Sequence, residues 1–380
     1  MRALKLLFLT GSRGEWGYIR PILRLCQQRD HDYRICATNM HLLPSHGLSV
    51  NEIRSDGFEV HDEVYMSLDA HNHTTMAKSL GLFLSSFVDV LHREKPDWLV
   101  LAGDRGEQFM GAVAAAYTYT PTAHIQAGEL SGNIDGMARH AIGKMVHLHL
   151  AANRDAQERL RRLGEEEFRI HLVGAPQLDE LAQGFFSGPE QLERNHGLDV
   201  TRPYLLVVQH SVTEEFDRAE EQIRTTAEAV RRVQLPVVWI MPNNDAGSDY
   251  VRQGVLLGRN SRTRVFDNLK REDYLGFLRF ARCIVGNSSS GLLEAPTFGV
   301  PAVNIGRRQA DRLQGTNVIN VPFGVDEIEA AIHTACSDAF RATLEGAENP
   351  YGDGRSAERI LDVLEGTPRD ARLLTKQLTH

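Results

Sequence analysis

The sequence predicts an α/β protein of two parallel-sheet domains with a ligand cleft between them. Three observations lead there. The chain has 380 residues, and domains usually run to roughly 100–200 residues, so two is the natural count. Short apolar runs alternate with longer amphipathic segments, the rhythm of βαβ units with a sheet covered on both faces. That rhythm occurs twice, on either side of a stretch, residues 174–203, that carries four glycines and three prolines around one short polar helix.

In the first half, strands are predicted at residues 4–9, 33–38, 60–65, 98–101, 122–125, 147–151 and 170–173. Helices are predicted between them at 17–28, 76–93, 107–117 and 154–163. In the second half, strands are predicted at 204–208, 237–241, 263–266, 283–285, 302–305 and 318–320, with a long helix at 214–233. The domain boundary is drawn at 175/176. The polar, helix-compatible tail from Arg355 onward goes with the second domain, and its return across the first is left open.

Composition narrows the function. Hydrophobic residues make up 42% and charged residues 24%, an ordinary globular balance. A net charge of −8 argues against nucleic acid or a membrane surface as the partner. The four cysteines, Cys26, Cys36, Cys283 and Cys336, are widely spaced without a CxxC pair and read as reduced thiols. The first apolar run is too short for a signal peptide or a membrane span, so a cytoplasmic protein is expected.

The most informative stretch is 286–312, GNSSSGLLEAPTFGVPAVNIGRRQADR. It reads as a strand, a turn of small residues, and a helix at 292–298, a layout that turns backbone N–H groups toward an anion. Ser288, Ser289 and Ser290 add hydroxyl donors, and Gly286 and Gly291 let a phosphate approach the backbone. Glu294, expected in the first turn of that helix, suits a ribose diol, and Arg308 suits the phosphates. The same serines read equally well as caps of their own helix. Taken together with Glu294 and Arg308, they point to a nucleotide diphosphate site.

Ligands of open parallel sheets bind beyond the carboxyl ends of the strands. Five such ends carry polar residues: Arg13, Asp104, the run from Gln126 to Glu129, His210, and Asn243 with Asn244 and Asp245. Singly, Asp104 and Asp135 also read as helix caps, and His210 as a hydrogen-bonded strand-end histidine. Jointly, Asp104, Glu129, Asp135 and His210 form a plausible acid–base set, in which crowded carboxylates raise one another's pKa. The pairs His71/His73 and His147/His149 have strand-face spacing but no third ligand nearby, so no metal is expected. The glycines at 11, 14 and 17 depart from the dinucleotide fingerprint, and no other cofactor motif occurs.

With these residues in view, the chain resembles the hydrolysing UDP-N-acetylglucosamine 2-epimerases of sialic and related nonulosonic acid synthesis, including the legionaminic acid type. Segments carrying the resemblance include Gly11-Ser12-Arg13, Asn39-Met40-His41-Leu42, Gly103-Asp104-Arg105 and His124-Ile125-Gln126-Ala127-Gly128-Glu129. Arg139-His140, Gln209-His210-Ser211-Val212-Thr213, Pro242-Asn243 and the 286–312 stretch continue it. The resemblance implies two Rossmann-like domains of glycosyltransferase-B type, with the nucleotide held mainly by the second. It implies that Arg13, His210, Asn243, Ser288, Ser289, Glu294 and Arg308 bind the nucleotide diphosphate, and that Asp104 and Asp135 flank the sugar as acid–base residues. The implied reaction removes the C2 proton while the nucleotide leaves C1, and then adds water to the resulting 2-acetamidoglucal.

Two positions depart from the family pattern. Gln126 stands where many relatives have a catalytic carboxylate, which shifts that role to Glu129 or Asp135, or implies a different sugar. Tyr18 stands where some relatives have a lysine. The alternatives are a UDP- or GDP-linked 2,4-diacetamido-2,4,6-trideoxy sugar as substrate, a non-hydrolysing epimerase, a glycosyltransferase and a nucleotide-sugar sensor. A homo-oligomer, dimer or tetramer, is expected.

Overall fold

Apolar side chains alternate along the strands so evenly that both faces of each sheet are hydrophobic, and this decides the layering. The structure, a computed structural model, describes residues 3–44, 47–68, 73–130, 134–242, 247–377 and 379, without the side chains of His73, Ile134, Asp135 and Thr213. Its contacts divide the chain into two compact units, Met1–Glu180 together with Tyr351–His380, and Leu181–Pro350.

The first unit holds β1 (Lys5–Thr10), β2 (Asp32–Thr38), β3 (Asp62–Val64), β4 (Trp98–Ala102), β5 (Thr122–Ile125), β6 (Leu148–Ala151) and β7 (Ile170–Leu172). They form one sheet in the order β3-β2-β1-β4-β5-β6-β7, every pair parallel. Leu6, Phe8, Trp98 and Val100 pack into the core on one face, and Leu7, Leu9, Leu99 and Leu101 into the core on the other. The second unit repeats the plan with β8 (Leu205–Val208), β9 (Val237–Ile240), β10 (Thr263–Phe266), β11 (Cys283–Gly286), β12 (Ala302–Ile305) and β13 (Val318–Val321). Its all-parallel order is β10-β9-β8-β11-β12-β13. Both are Rossmann-like sheets of the glycosyltransferase-B type, and the strand order reverses between β1 and β4 and between β8 and β11. No helix among the described residues is long and apolar enough to cross a membrane.

Two features differ from the sequence expectation. Residues 351–380, expected with the second domain, lie with the first. The helix Ser356–Gly366 puts Ile360, Leu361 and Leu364 into the same core as Leu23 and Trp98. Trp98 Nε1 donates to Leu364 O at 3.1 Å, and both Asp179 carboxylate oxygens accept the first N–H groups of that helix, Ser356 at 2.9 Å and Ala357 at 2.6 Å. The boundary accordingly falls at Glu180, just after this cap.

The second difference is at 292–298, expected as one helix. It is a short helix, Ser290–Leu293, followed by a 3-10 turn, Ala295–Phe298. Pro296 has no N–H to continue the ladder and clashes with the preceding turn, so the helix stops. Glu294 therefore sits at the junction rather than inside a first turn.

The first unit also buries histidines as neutral rings. Burial holds His41, His147 and His149 down to about 4 and His124 to about 3. His149 lies 2.9 Å from Glu165, yet burial outweighs that carboxylate and Lys376, itself 2.6 Å from Glu165, adds to the downward shift. Each histidine titrates near 6.5 when unfolded, so its stabilising contribution is complete above that pH and is lost as pH falls toward 4 and below. Urea unfolding of the first unit should weaken by about 1.4 kcal/mol per pH unit for each buried histidine between pH 6 and 4.5. A flat profile would mean that these rings are not buried neutral.

Candidate active site

In the first unit the switch point between β1 and β4 gathers two loops. Ser12 caps the helix Arg13–Gln28, accepting from Glu15 N at 3.4 Å, and Glu15 Oε2 accepts from Gly11 N at 2.5 Å. Glu107, in the first turn of the helix Gly106–Tyr117, presses on Gly11 so closely that a Cβ on Gly11 would lie 2.1 Å from its Oε1. Burial raises the Glu15 carboxyl well above its ordinary range, and the Glu107 charge raises it further. A buried, crowded carboxyl of this kind is shifted toward its protonated form.

Asp104 follows β4 and accepts a charged hydrogen bond from Arg139 Nη2. The other arm of that guanidinium, Nη1, donates to the main-chain oxygen of Gln126 at 2.7 Å. Arg139 comes from the helix Ile134–Met145 and is 5% exposed, so one buried cation ties the ends of β4 and β5 together. Gln126 itself adopts a left-handed backbone with φ of 60° and is 3% exposed, and its Nε2 meets no acceptor among the described residues. Such backbone strain in a buried loop is commonly kept for function. His124, neutral, donates Nε2 to Gly103 O at 2.6 Å and steadies the Asp104 loop.

The remaining expected residues of this unit have structural partners. Glu129 is buried and accepts from Asn153 Nδ2, whose Oδ1 caps the next helix at Ala156 N, 2.8 Å away. Arg13 is held by Glu52, with Nη2 to Oε1 at 2.5 Å. Asp135 begins the helix that carries Arg139, but its side chain lies outside the described residues, as does Asn243.

In the second unit, the switch point between β8 and β11 is locked by Asn287. Its Oδ1 accepts from His210 N at 2.7 Å and its Nδ2 donates to His210 O at 2.8 Å. Gly286 precedes it with φ of 130°, and a Cβ there would come within 2.1 Å of Val208 O, so only glycine fits. Arg308 Nη1 and Gln309 Nε2 both donate to Asn287 O, at 3.3 and 2.9 Å. Asn287 thus sets His210 and Arg308 around the serine turn.

Within that turn the main-chain N–H groups of Ser290, Gly291, Leu292 and Leu293 are taken up by Ser288 Oγ and by the carbonyls of Ser288 and Ser289. Among the described residues, the N–H groups of Ser288 and Ser289 meet no acceptor. These two, rather than the helix end, are the candidate anion donors. Gly291 packs on β12, where a Cβ would sit 3.2 Å from that of Ala302. Glu294 is 7% exposed, faces Arg271 at 3.9 Å, and keeps a buried Oε2 with no partner among the described residues. That oxygen suits a diol donor. Burial raises the Tyr274 phenol and the nearby Glu294 charge adds to the shift, against hydrogen bonds to Ser290 and Ser288. Sequence reasoning overlooked Asn287, Gln309, Arg139, Glu15, Glu107 and Tyr274 as site residues.

Comparison with known proteins identifies the family. Residues 24–365 match the family described as UDP-N-acetylglucosamine 2-epimerase. The chain is 35% identical over 374 residues to the UDP-N,N'-diacetylbacillosamine 2-epimerase (hydrolyzing) of Legionella pneumophila, covering 98% of each chain. It is 31% identical to the UDP-N-acetylglucosamine 2-epimerase of Neisseria meningitidis serogroup B, over 95% of this chain and 94% of the relative. A crystal structure of UDP-GlcNAc 2-epimerase from Neisseria meningitidis bound to UDP-GlcNAc has the same fold, with a TM-score of 0.83 at 17% identity, over 96% of this chain and all of that one.

Replacing Asn287 by Ala removes both bonds to His210 and deprives its part-buried N–H of that acceptor. The variant should lose about 2–4 kcal/mol of stability, measured as a lower urea midpoint. An unchanged midpoint would show that Asn287 does not hold the turn.

Proposed function

The chain belongs to the UDP-N-acetylglucosamine 2-epimerase family, and on that premise we propose that it is a hydrolysing 2-epimerase of a UDP-linked 2-acetamido sugar. The observation that carries the hydrolysing branch is the likeness, along nearly the whole chain, to a relative whose name specifies hydrolysis. Residues of the second unit, Ser288, Ser289, Arg308 and His210, take the diphosphate, with Glu294 on the ribose diol. Residues of the first unit, Asp104 and Asp135, serve the sugar.

The order of bond breaking follows from the Asp104 environment. A carboxylate paired with a guanidinium is a weak base, and C2–H of a sugar is a weak acid. Proton removal therefore needs the C1–O bond to weaken first, so that positive charge on the ring makes C2–H acidic. UDP leaves with the bonding pair and is stabilised by the serine N–H groups and Arg308. Loss of the C2 proton then gives a 2-acetamidoglucal. Water adds hydroxide to C1, a proton arrives at C2 from the opposite face, and the mannose-configured sugar is released. The route is redox-neutral and calls for no redox cofactor.

Two sugars are consistent with this chemistry. N-acetylglucosamine is the simpler, and the Legionella relative favours a 2,4-diacetamido-2,4,6-trideoxy sugar. Proton NMR in deuterated water with each UDP-sugar separates them. Free 2-epimer carrying deuterium at C2, together with UDP, is expected from one of the two. An epimer still attached to UDP, or no reaction with either sugar, would defeat the hydrolysing assignment.

Two variants test the division of labour by calorimetric titration with UDP. Asp104→Asn should abolish turnover and leave UDP affinity nearly intact. Arg308→Ala should weaken UDP binding by about 1.5–3 kcal/mol, the worth of a charged hydrogen bond. Unchanged UDP affinity in Arg308→Ala would remove that residue from the diphosphate site.

A further inference from the structure

Gln126 cannot serve as an acid or base, yet it occupies a costly position in the Asp104 cluster. Three observations define what it can do. It is 3% exposed, and Nε2 meets no acceptor among the described residues. A buried N–H left unpaired is destabilising unless something else accepts from it. Its backbone is held at φ of 60° while Arg139 grips its carbonyl oxygen at 2.7 Å, so the side chain is aimed by a strained and anchored main chain. The same guanidinium holds the Asp104 carboxylate. Gln126 and Asp104 are therefore two fixed groups within one arginine's span, one a donor and the other a proton acceptor.

The geometry points to Gln126 as the residue that recognises the sugar's 2-acetamido group, its amide N–H donating to the acetamido carbonyl while Asp104 faces the C2 hydrogen. This rests on the function proposed above. A carbonyl suits the position better than a hydroxyl does. It accepts and brings no proton of its own, whereas a hydroxyl would need a further acceptor in the same buried spot. The carbon whose proton Asp104 takes also carries the acetamido group, so the Asp104 carboxylate and the loop of Gln126, both held by Arg139, would address two substituents of one carbon. Recognition there is independent of what the sugar carries at C4, so it holds for either candidate substrate. The amide in this chain then replaces proton transfer with a specificity contact.

The test uses the full chain and three probes, UDP, UDP-glucose and UDP-N-acetylglucosamine. UDP-glucose differs from the last only in having a hydroxyl at C2. Binding is measured by calorimetry in the Asp104→Asn background, where the sugar stays intact, with and without Gln126→Leu. The substitution should weaken UDP-N-acetylglucosamine by roughly 10-fold, the worth of one hydrogen bond, and leave UDP and UDP-glucose within about 2-fold. In the otherwise unaltered chain, Gln126→Glu should lower turnover and raise KM, because a carboxylate repels the carbonyl oxygen. Equal loss for all three probes would make Gln126 a merely structural residue and overturn the inference. So would a rise in kcat for Gln126→Glu, which would mark the position as one of proton transfer. Failure of the unaltered chain to bind UDP at all would instead overturn the proposed function, and this inference with it.

Discussion

Both units depend on one constraint: a parallel strand with two apolar faces must be covered on each, so every connection has to return across the sheet before the next strand begins. All carboxyl ends then lie along one edge, and where the strand order reverses the flanking connections part to opposite faces. In the first unit that gap lies between the loops of Gly11–Arg13 and Gly103–Asp104. In the second it lies between Gln209–His210 and the turn of Asn287–Ser290. The placement of reactive groups is thus a by-product of burying leucine and valine.

Side-chain periodicity made most of this plan readable without coordinates. Leu6 to Leu9 and Leu205 to Val208 could only be strands buried on both faces, and a polar residue directly after such a run had to fall on the ligand edge. The positions of Asp104, His210 and the serines at strand ends were legible for that reason. Asn287, Arg139 and Glu107 were not, because their roles are set by partners far away in sequence. Asn287 matters through His210, 77 positions earlier, and Arg139 through Asp104, 35 positions away. A single Asn or Arg in a helix or turn carries no local mark of such a contact. Pro296, by contrast, was a visible signal that the helix through Glu294 would break.

Each unit carries polar groups that its described residues do not satisfy. Among the described residues, Gln126 Nε2 in the first unit and Glu294 Oε2 in the second are buried without partners, and in the first unit Glu15 is pushed toward its neutral form by burial and by Glu107. Each lowers the stability of the folded chain, and each is tolerated because the neighbouring backbone is over-determined. Asn287 fixes both main-chain groups of His210, and His124 and Arg139 pin the loops that follow β4 and β5. Rigid apolar sheets underneath make this strain possible, since a packed interior does not yield to relieve it.

The first unit is discontinuous in sequence: residues 351–380 complete a core begun by residues 1–180. A ribosome delivers the chain in order, so the second unit, residues 181–350, has all its strands available while the first still lacks Ile360, Leu361 and Leu364. During synthesis the apolar surface around Leu23 and Trp98 stays open until the last helix arrives to close it. The first unit is thus begun before the second and completed only after it, with part of its apolar core uncovered in the interval.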